Sequence, residues 1–188
     1  MGNTKERMVD ATIELICLGK CPGEITVADI TEKAGVGNGM VNYHFQSKDN
    51  LMKTAVKKVL GCTNKMLTEN LVFDQNTTAI QKITAVLQRI LDLIAQNPEI
   101  SRIAILDNLE NENGVTHIVS HTDLFHSCLT ELCGNDQQQI LIKQTAAEGF
   151  INTLFLKADI NRKECGFDFY DKAQRDRAAE EFASAMFL

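Results

Sequence analysis

Only two prolines, Pro22 and Pro98, interrupt this chain of 188 residues. Proline stops a helix because it has no backbone N–H and clashes with the preceding turn, so long segments without it are free to be helical. Apolar residues recur through those segments with helical spacing, and the expected fold is all-α. The composition, 44% hydrophobic and 23% charged, suits a chain with a real core and not a disordered one. No apolar run approaches the roughly eighteen residues of a membrane helix. The first residues lack an apolar signal segment, and Glu6 stands where a myristoylation motif wants Ser or Thr. The expectation is a soluble, cytoplasmic protein with no membrane partner.

Charge is unevenly placed. Residues 1–60 carry 8 Lys and Arg against 7 Asp and Glu, whereas residues 61–188 carry 11 against 18. An acidic body with a neutral-to-basic head suits a protein whose head alone approaches a polyanion, although chance gives the same asymmetry. The six cysteines (Cys17, Cys21, Cys62, Cys128, Cys133, Cys165) include no C-x-x-C pair. Buried, reduced thiols are expected, with a redox or metal role as the alternative.

The first sixty residues read as short helices punctuated by glycine. Asn3 and Glu6 form a candidate capping box before a helix running to about Leu18, which Gly19–Gly23 ends. Thr26 is an N-cap, with Asp29 as a first-turn acid, for a helix of about eight residues closed by Gly35. A second short segment, Asn38 to Phe45, follows, and Ser47 caps a longer helix from Lys48. Helix, glycine turn, helix is the helix-turn-helix pattern, whose second helix fits a DNA major groove. Asn38 then pairs with an adenine edge or merely caps its helix, and Met40 touches a thymine methyl or merely packs. Tyr43, His44 and Lys48 carry donors of the kind that reach phosphates. Thr26 and the free N–H groups behind it add an anion site.

The stretch from Thr26 through Ile30, Ala34-Gly35-Val36, Gly39, Val41, Tyr43-His44-Phe45 and Ser47-Lys48 to Leu51 closely resembles the DNA-binding head of the TetR (tetracycline-repressor-like) transcriptional regulators. The resemblance covers roughly residues 4–60. It implies an N-terminal three-helix head at residues 1–47, a connecting helix from 48, and a helical effector-binding and dimerisation domain over 48–188. It also implies a ligand-responsive regulator, most often a repressor, that binds a palindromic operator as a homodimer and is released by a small molecule. The DNA-contacting set becomes Thr26, Asn38, Gly39, Met40, Asn42, Tyr43, His44 and Lys48. Three positions depart from the pattern. Thr31 stands where a small Ala is usual, so the packing of the first helix on the second should differ slightly. Gly37 replaces a capping Ser, and Asn42 stands where many members carry a phosphate-binding Tyr.

The body divides into segments at 48–72, 78–96, 99–109, 116–133, 136–158 and 171–187, the last with a candidate capping box of Asp171 and Gln174. Apolar residues surround more of helix 136–158 than one stripe, so it must be covered on two sides. Its cover is either a deep intramolecular core or a second copy. Together with the small residues of 171–187 it is the expected dimer interface. His117, His121, Phe125 and Phe150 are candidate ligand-binding residues. His117 and His121, four apart, also present the spacing of a shared metal. The reading nonetheless assigns no metal and no cofactor. No G-x-S-x-G, P-loop, G-x-G-x-x-G or H-E-x-x-H motif is present, and one Asp123-x-x-His126 does not make a di-iron site, so no enzyme is expected. A helical interaction module with a vestigial head is the other class.

Overall fold

Caps written into the sequence start most of the helices. The computed structural model describes residues 3–18, 20, 22–68, 71–110 and 123–187, with the backbone alone for 61–68. Among these residues there are ten α-helices and no strand: α1 (Thr4–Cys17), α2 (Val27–Ala34), α3 (Gly39–Phe45), α4 (Lys48–Thr68), α5 (Ala79–Gln96), α6 (Pro98–Glu110), α7 (Asp123–Cys133), α8 (Gln137–Leu156), α9 (Ala158–Cys165) and α10 (Lys172–Phe187). Asn3 caps α1 by accepting from the Lys5 N–H, one position short of the expected Glu6. Thr78 and Gln81 close a reciprocal capping box on α5. Asp136 accepts from Gln138 and Gln139 at the start of α8. At α10, Asp171 caps as expected, but the Gln174 carbonyl oxygen accepts from the Asp168 N–H instead of completing the box.

The expected helix 136–158 is α8, Gln137–Leu156, and a further short helix follows it. The chain turns at Lys157 and continues as α9, which Gly166 ends in the left-handed conformation at φ 71°. No helix is expected there from periodicity, because α9 buries only Ala158.

The described residues fall into two compact units. One holds α1–α3, most of α4 up to residue 62, and α6; the other holds α5 and α7–α10. In the first unit Met8, Ile25, Ile30, Val41, Leu51 and Val56 are buried in one cluster, and α6 adds Ile100 and Ala104. Asp107 of α6, 5% exposed, pairs with Lys53 of α4 at 2.5 Å. In the second unit α5 buries Ile83, Leu87, Ile90, Leu91 and Ile94 and packs against α10 and α7. Arg175 of α10, 6% exposed, donates to Asp92 of α5 at 2.7 Å and to the Phe169 carbonyl at 2.8 Å. Burial raises the Asp92 carboxyl, but hydrogen bonds from Arg175 and Lys172 outweigh it and hold the group below its ordinary range.

The cysteine expectation needs correction. Cys128 is buried, with its thiol pushed up by desolvation, and Cys133 is half-buried, but Cys17 and Cys165 are exposed. Cys17 is the last residue of α1 and Cys165 the last of α9, where the chain leaves its packed face. Cys21 and the side chain of Cys62 lie outside the described residues.

Candidate nucleic-acid interface

The interface is built on α2, because α2 fixes where α3 can lie. Thr26 is extended at φ −92° and ψ 162°, and its hydroxyl accepts from the Asp29 N–H while the Asp29 carboxylate accepts from the Thr26 N–H at 2.8 Å. This box satisfies two of the donors a helix start leaves free. The Thr26 N–H, the Thr26 hydroxyl and Lys20 all favour the ionised Asp29, whose pKa falls to about 2. Gly35 ends α2 at φ 64°, left-handed, as the turn demands.

The sequence reading missed Arg7. Its guanidinium, carried on α1, reaches 27 residues forward to the Ala34 carbonyl and donates to the Gly35 carbonyl at 3.0 Å. A cation placed on the carbonyls that end α2 satisfies them and complements the negative helix end. A Cβ on Gly35 would sit 2.8 Å from that guanidinium and displace the tip of the Arg7 side chain, while the positive φ is what calls for glycine in the turn. No local pattern announces such a long-range cap.

The Thr31 hydroxyl contacts the carbonyls of Val27 and Ala28 in its own helix and the side chain of Asn38. Thr31 is 1% exposed and takes the place of the expected small residue without opening the helix pair. Asn38 is not a helix cap: its backbone is already helical, at φ −55° and ψ −33°, and its side chain makes no capping bond.

On α3, Val41 and Phe45 are buried in the head core, and Met40 packs partly against it. Asn42 and Tyr43 point outward, Tyr43 at 78% exposed with its ring edge-on to His44. His44 is half-buried, and its Nε2 has no hydrogen-bond partner among the described residues. A Cβ on Gly39, the first residue of α3, would meet nothing within 4 Å among the described residues. Lys48 is engaged internally: its ammonium donates to the carbonyls of Ile25 at 2.9 Å and Pro22 at 3.4 Å. One of its three N–H groups is left for a phosphate. The structure thus brings all eight expected DNA-contacting residues to α2, α3 and their flanks.

Two of the four ligand candidates fall within the described residues. His117 and His121 lie outside the described residues. Phe125 is fully buried, edge-on to Phe187; Phe187 meets Phe182, and Phe182 stacks on Phe150 with centroids 4.2 Å apart. Phe125 and Phe150 are therefore the two ends of one aromatic chain across α7, α10 and α8. His126 faces Gln144 of α8, Nδ1 to Nε2 at 3.3 Å.

The model of bacterial regulatory proteins of the tetR family matches residues 22–55. No curated protein sequence is similar enough to count as a relative. Among solved structures, the transcriptional regulator FadR from Bacillus subtilis, in complex with stearoyl-CoA, is 20% identical with a TM-score of 0.64, over 95% of this chain and 97% of that one. The fatty acid degradation regulator FadR from Bacillus halodurans is 14% identical with a TM-score of 0.62, over 100% and 96%. A putative TetR-family regulator from Mesorhizobium loti is 16% identical with a TM-score of 0.58, over 97% and 94%. At such identities the likeness establishes the fold. Residues 22–55 thus match the tetR family of bacterial regulatory proteins, and over nearly its whole length the chain has the fold of the transcriptional regulators it resembles.

Proposed function

We propose that the protein is a homodimeric transcriptional repressor. Its two heads bind one palindromic operator, and a small molecule held in residues 48–188 releases it. The observation that carries this reading is α3 itself, with Val41 and Phe45 anchored in the core and Asn42 and Tyr43 turned outward. A helix held rigidly by one face presents the other to base edges. α3 contains no Lys or Arg, so phosphate attraction falls to its flanks: the remaining N–H of Lys48 and the first-turn N–H groups of α2 that the Thr26–Asp29 box leaves free.

Dimerisation is proposed through α8 and α10. Leu141 and Ile142 on α8 are each 62% exposed, and Gly149, in the same helix, is exposed with open space where a Cβ would stand. A second copy packed here would cover the apolar residues and use the missing side chain for close approach. Two-fold symmetry would then space two heads for two half-sites about one DNA turn, or a multiple of it, apart. Among the described residues no helix is long and apolar enough to cross a membrane, which agrees with action in the cytoplasm.

Selection of bound duplexes from a random library at near-physiological salt tests the reading. Recovery of a palindrome is expected. Recovery of nothing above background, by both purified and refolded ligand-stripped protein, would overturn it. Acyl-CoA thioesters of different chain lengths are the first effector panel, because the Bacillus subtilis neighbour is in complex with stearoyl-CoA. An effector should lower operator affinity, and the operator should lower effector affinity by the same factor.

A further inference from the structure

We infer that Thr31 is a specificity-positioning residue: its hydroxyl orients the Asn38 amide so that the outer edge of that amide reads an adenine. This rests on the proposed use of α3 in the major groove. Thr31 is buried at 1% exposure in α2, while Asn38 is exposed at the head of α3 and free of any capping duty. The two side chains are in hydrogen-bond contact seven residues apart.

A hydroxyl has one proton, and three oxygens compete for it here: the Val27 carbonyl at 2.9 Å, the Ala28 carbonyl at 3.2 Å and Asn38 Oδ1. Turning the Asn38 amide over removes the competition. Thr31 then donates to Val27, and an Asn38 Nδ2–H donates to the Thr31 oxygen. The Nδ2 proton on the Cβ side is spent on Thr31, which leaves the carbonyl oxygen and the adjacent Nδ2 proton as one acceptor–donor edge. That edge matches adenine's N6 amino group and N7 in the major groove. Without the hydroxyl the amide rotates freely and pays orientational entropy when it pairs.

The test measures relative affinity of the full-length protein for all four base pairs at each operator position. Asn38→Ala should abolish an adenine preference at one position per half-site. Thr31→Val, which keeps the buried shape, should relax that same preference about fivefold and leave other positions unchanged; this is a fraction of what a bidentate pair supplies. Thr31→Ser should restore it. Unchanged preferences in Thr31→Val, or equal weakening on every sequence, would overturn the proposal. So would an Asn38→Ala variant with the wild-type preference. Absence of sequence-specific binding by the wild-type protein would instead sink the regulator reading beneath it. Matching circular dichroism melts for Thr31→Val and Thr31→Ser exclude misfolding as the cause.

Discussion

The head and the body are both helical, but their decisive contacts span very different distances along the chain. In the head, Thr26 meets Asp29, Thr31 meets Asn38 and Ser47 caps Asn50, within three to seven residues. Up to the start of α4 the longer ties, Arg7 to Ala34 and Lys48 to Ile25, reach 27 and 23 residues, and only further along α4 does Lys58 reach back 48 residues to Asp10. In the body, Arg175 reaches Asp92 across 83 residues and Lys143 reaches the Met186 carbonyl across 43. Local contacts form a motif that any window of the sequence displays. The body's helices have local caps too, at Thr78, Asp136 and Asp171, but the contacts that join them exist only once helices far apart in sequence have met, so their packing is specified by shape and charge partners with no local signature.

Breaking the body should have the larger effects. A mid-helix glycine costs about 1 kcal/mol relative to alanine, and no described residue approaches Gly149 closely enough to need it. If a second copy does, Gly149→Arg should convert the dimer to monomer in sedimentation velocity while helix content is retained. A dimer that survives with unchanged affinity would remove α8 from the interface. Arg175→Met strands the Asp92 carboxylate with only Lys172 beside it. Breaking a buried pair on one side should cost about 3 kcal/mol in urea unfolding. A loss below about 1 kcal/mol would mean that water already shields the pair. Amide exchange in α2 and α3 should not change in either variant, since neither residue belongs to the head unit.

How much was legible follows the same division. The Thr26 box, the left-handed Gly35 and the Ser47 cap could be read because each is a residue type at a fixed offset from a helix end. Arg7 could not, because nothing local marks an arginine as the cap of a helix twenty-seven residues on. Asn38 looked like a cap or a base reader from its place before the helix; it is no cap, and its side chain contacts Thr31 across the turn, which no local pattern marks. The all-round apolar pattern of segment 136–158 announced a second cover, but the short helix α9 that follows it has no apolar periodicity to mark it, since it buries only Ala158. Phe125 and Phe150 show the limit most plainly. Apolar periodicity places both inward, and whether they line a cavity or stack on neighbours depends on Phe187 and Phe182, from the far end of the chain.

Within the head, the long tie should matter more than the local one. Arg7→Ala frees the carbonyls of Ala34 and Gly35 at the end of α2. The loss should be about 1 to 2 kcal/mol of stability, through the charged hydrogen bonds and the helix dipole together. Because Arg7 places α3 without touching bases, operator affinity should fall by a similar factor on every sequence. A changed sequence preference would instead put Arg7 in contact with DNA.

The smallest effect is the sharpest probe of local specification. The Asp29 carboxyl titrates at about 2 in the folded chain, held there first by the Thr26 N–H, then by the Thr26 hydroxyl and Lys20. Unfolded, it returns to its ordinary value near 3.8. Its folded pKa is the lower one, so its contribution is fully present above about pH 4 and is lost as pH falls toward 2. At pH 3 the side chain should be about 90% ionised, against about 15% for an unperturbed carboxyl, which carboxyl carbon shifts in NMR report directly. Thr26→Val removes the hydroxyl and keeps the N–H, so the midpoint should rise only part of the way toward 3.8. A rise all the way would mean that the box is held by the side chain alone. No rise would mean that the backbone of the α2 start fixes the carboxylate by itself, and the threonine would then be replaceable in the very motif that makes this head recognisable.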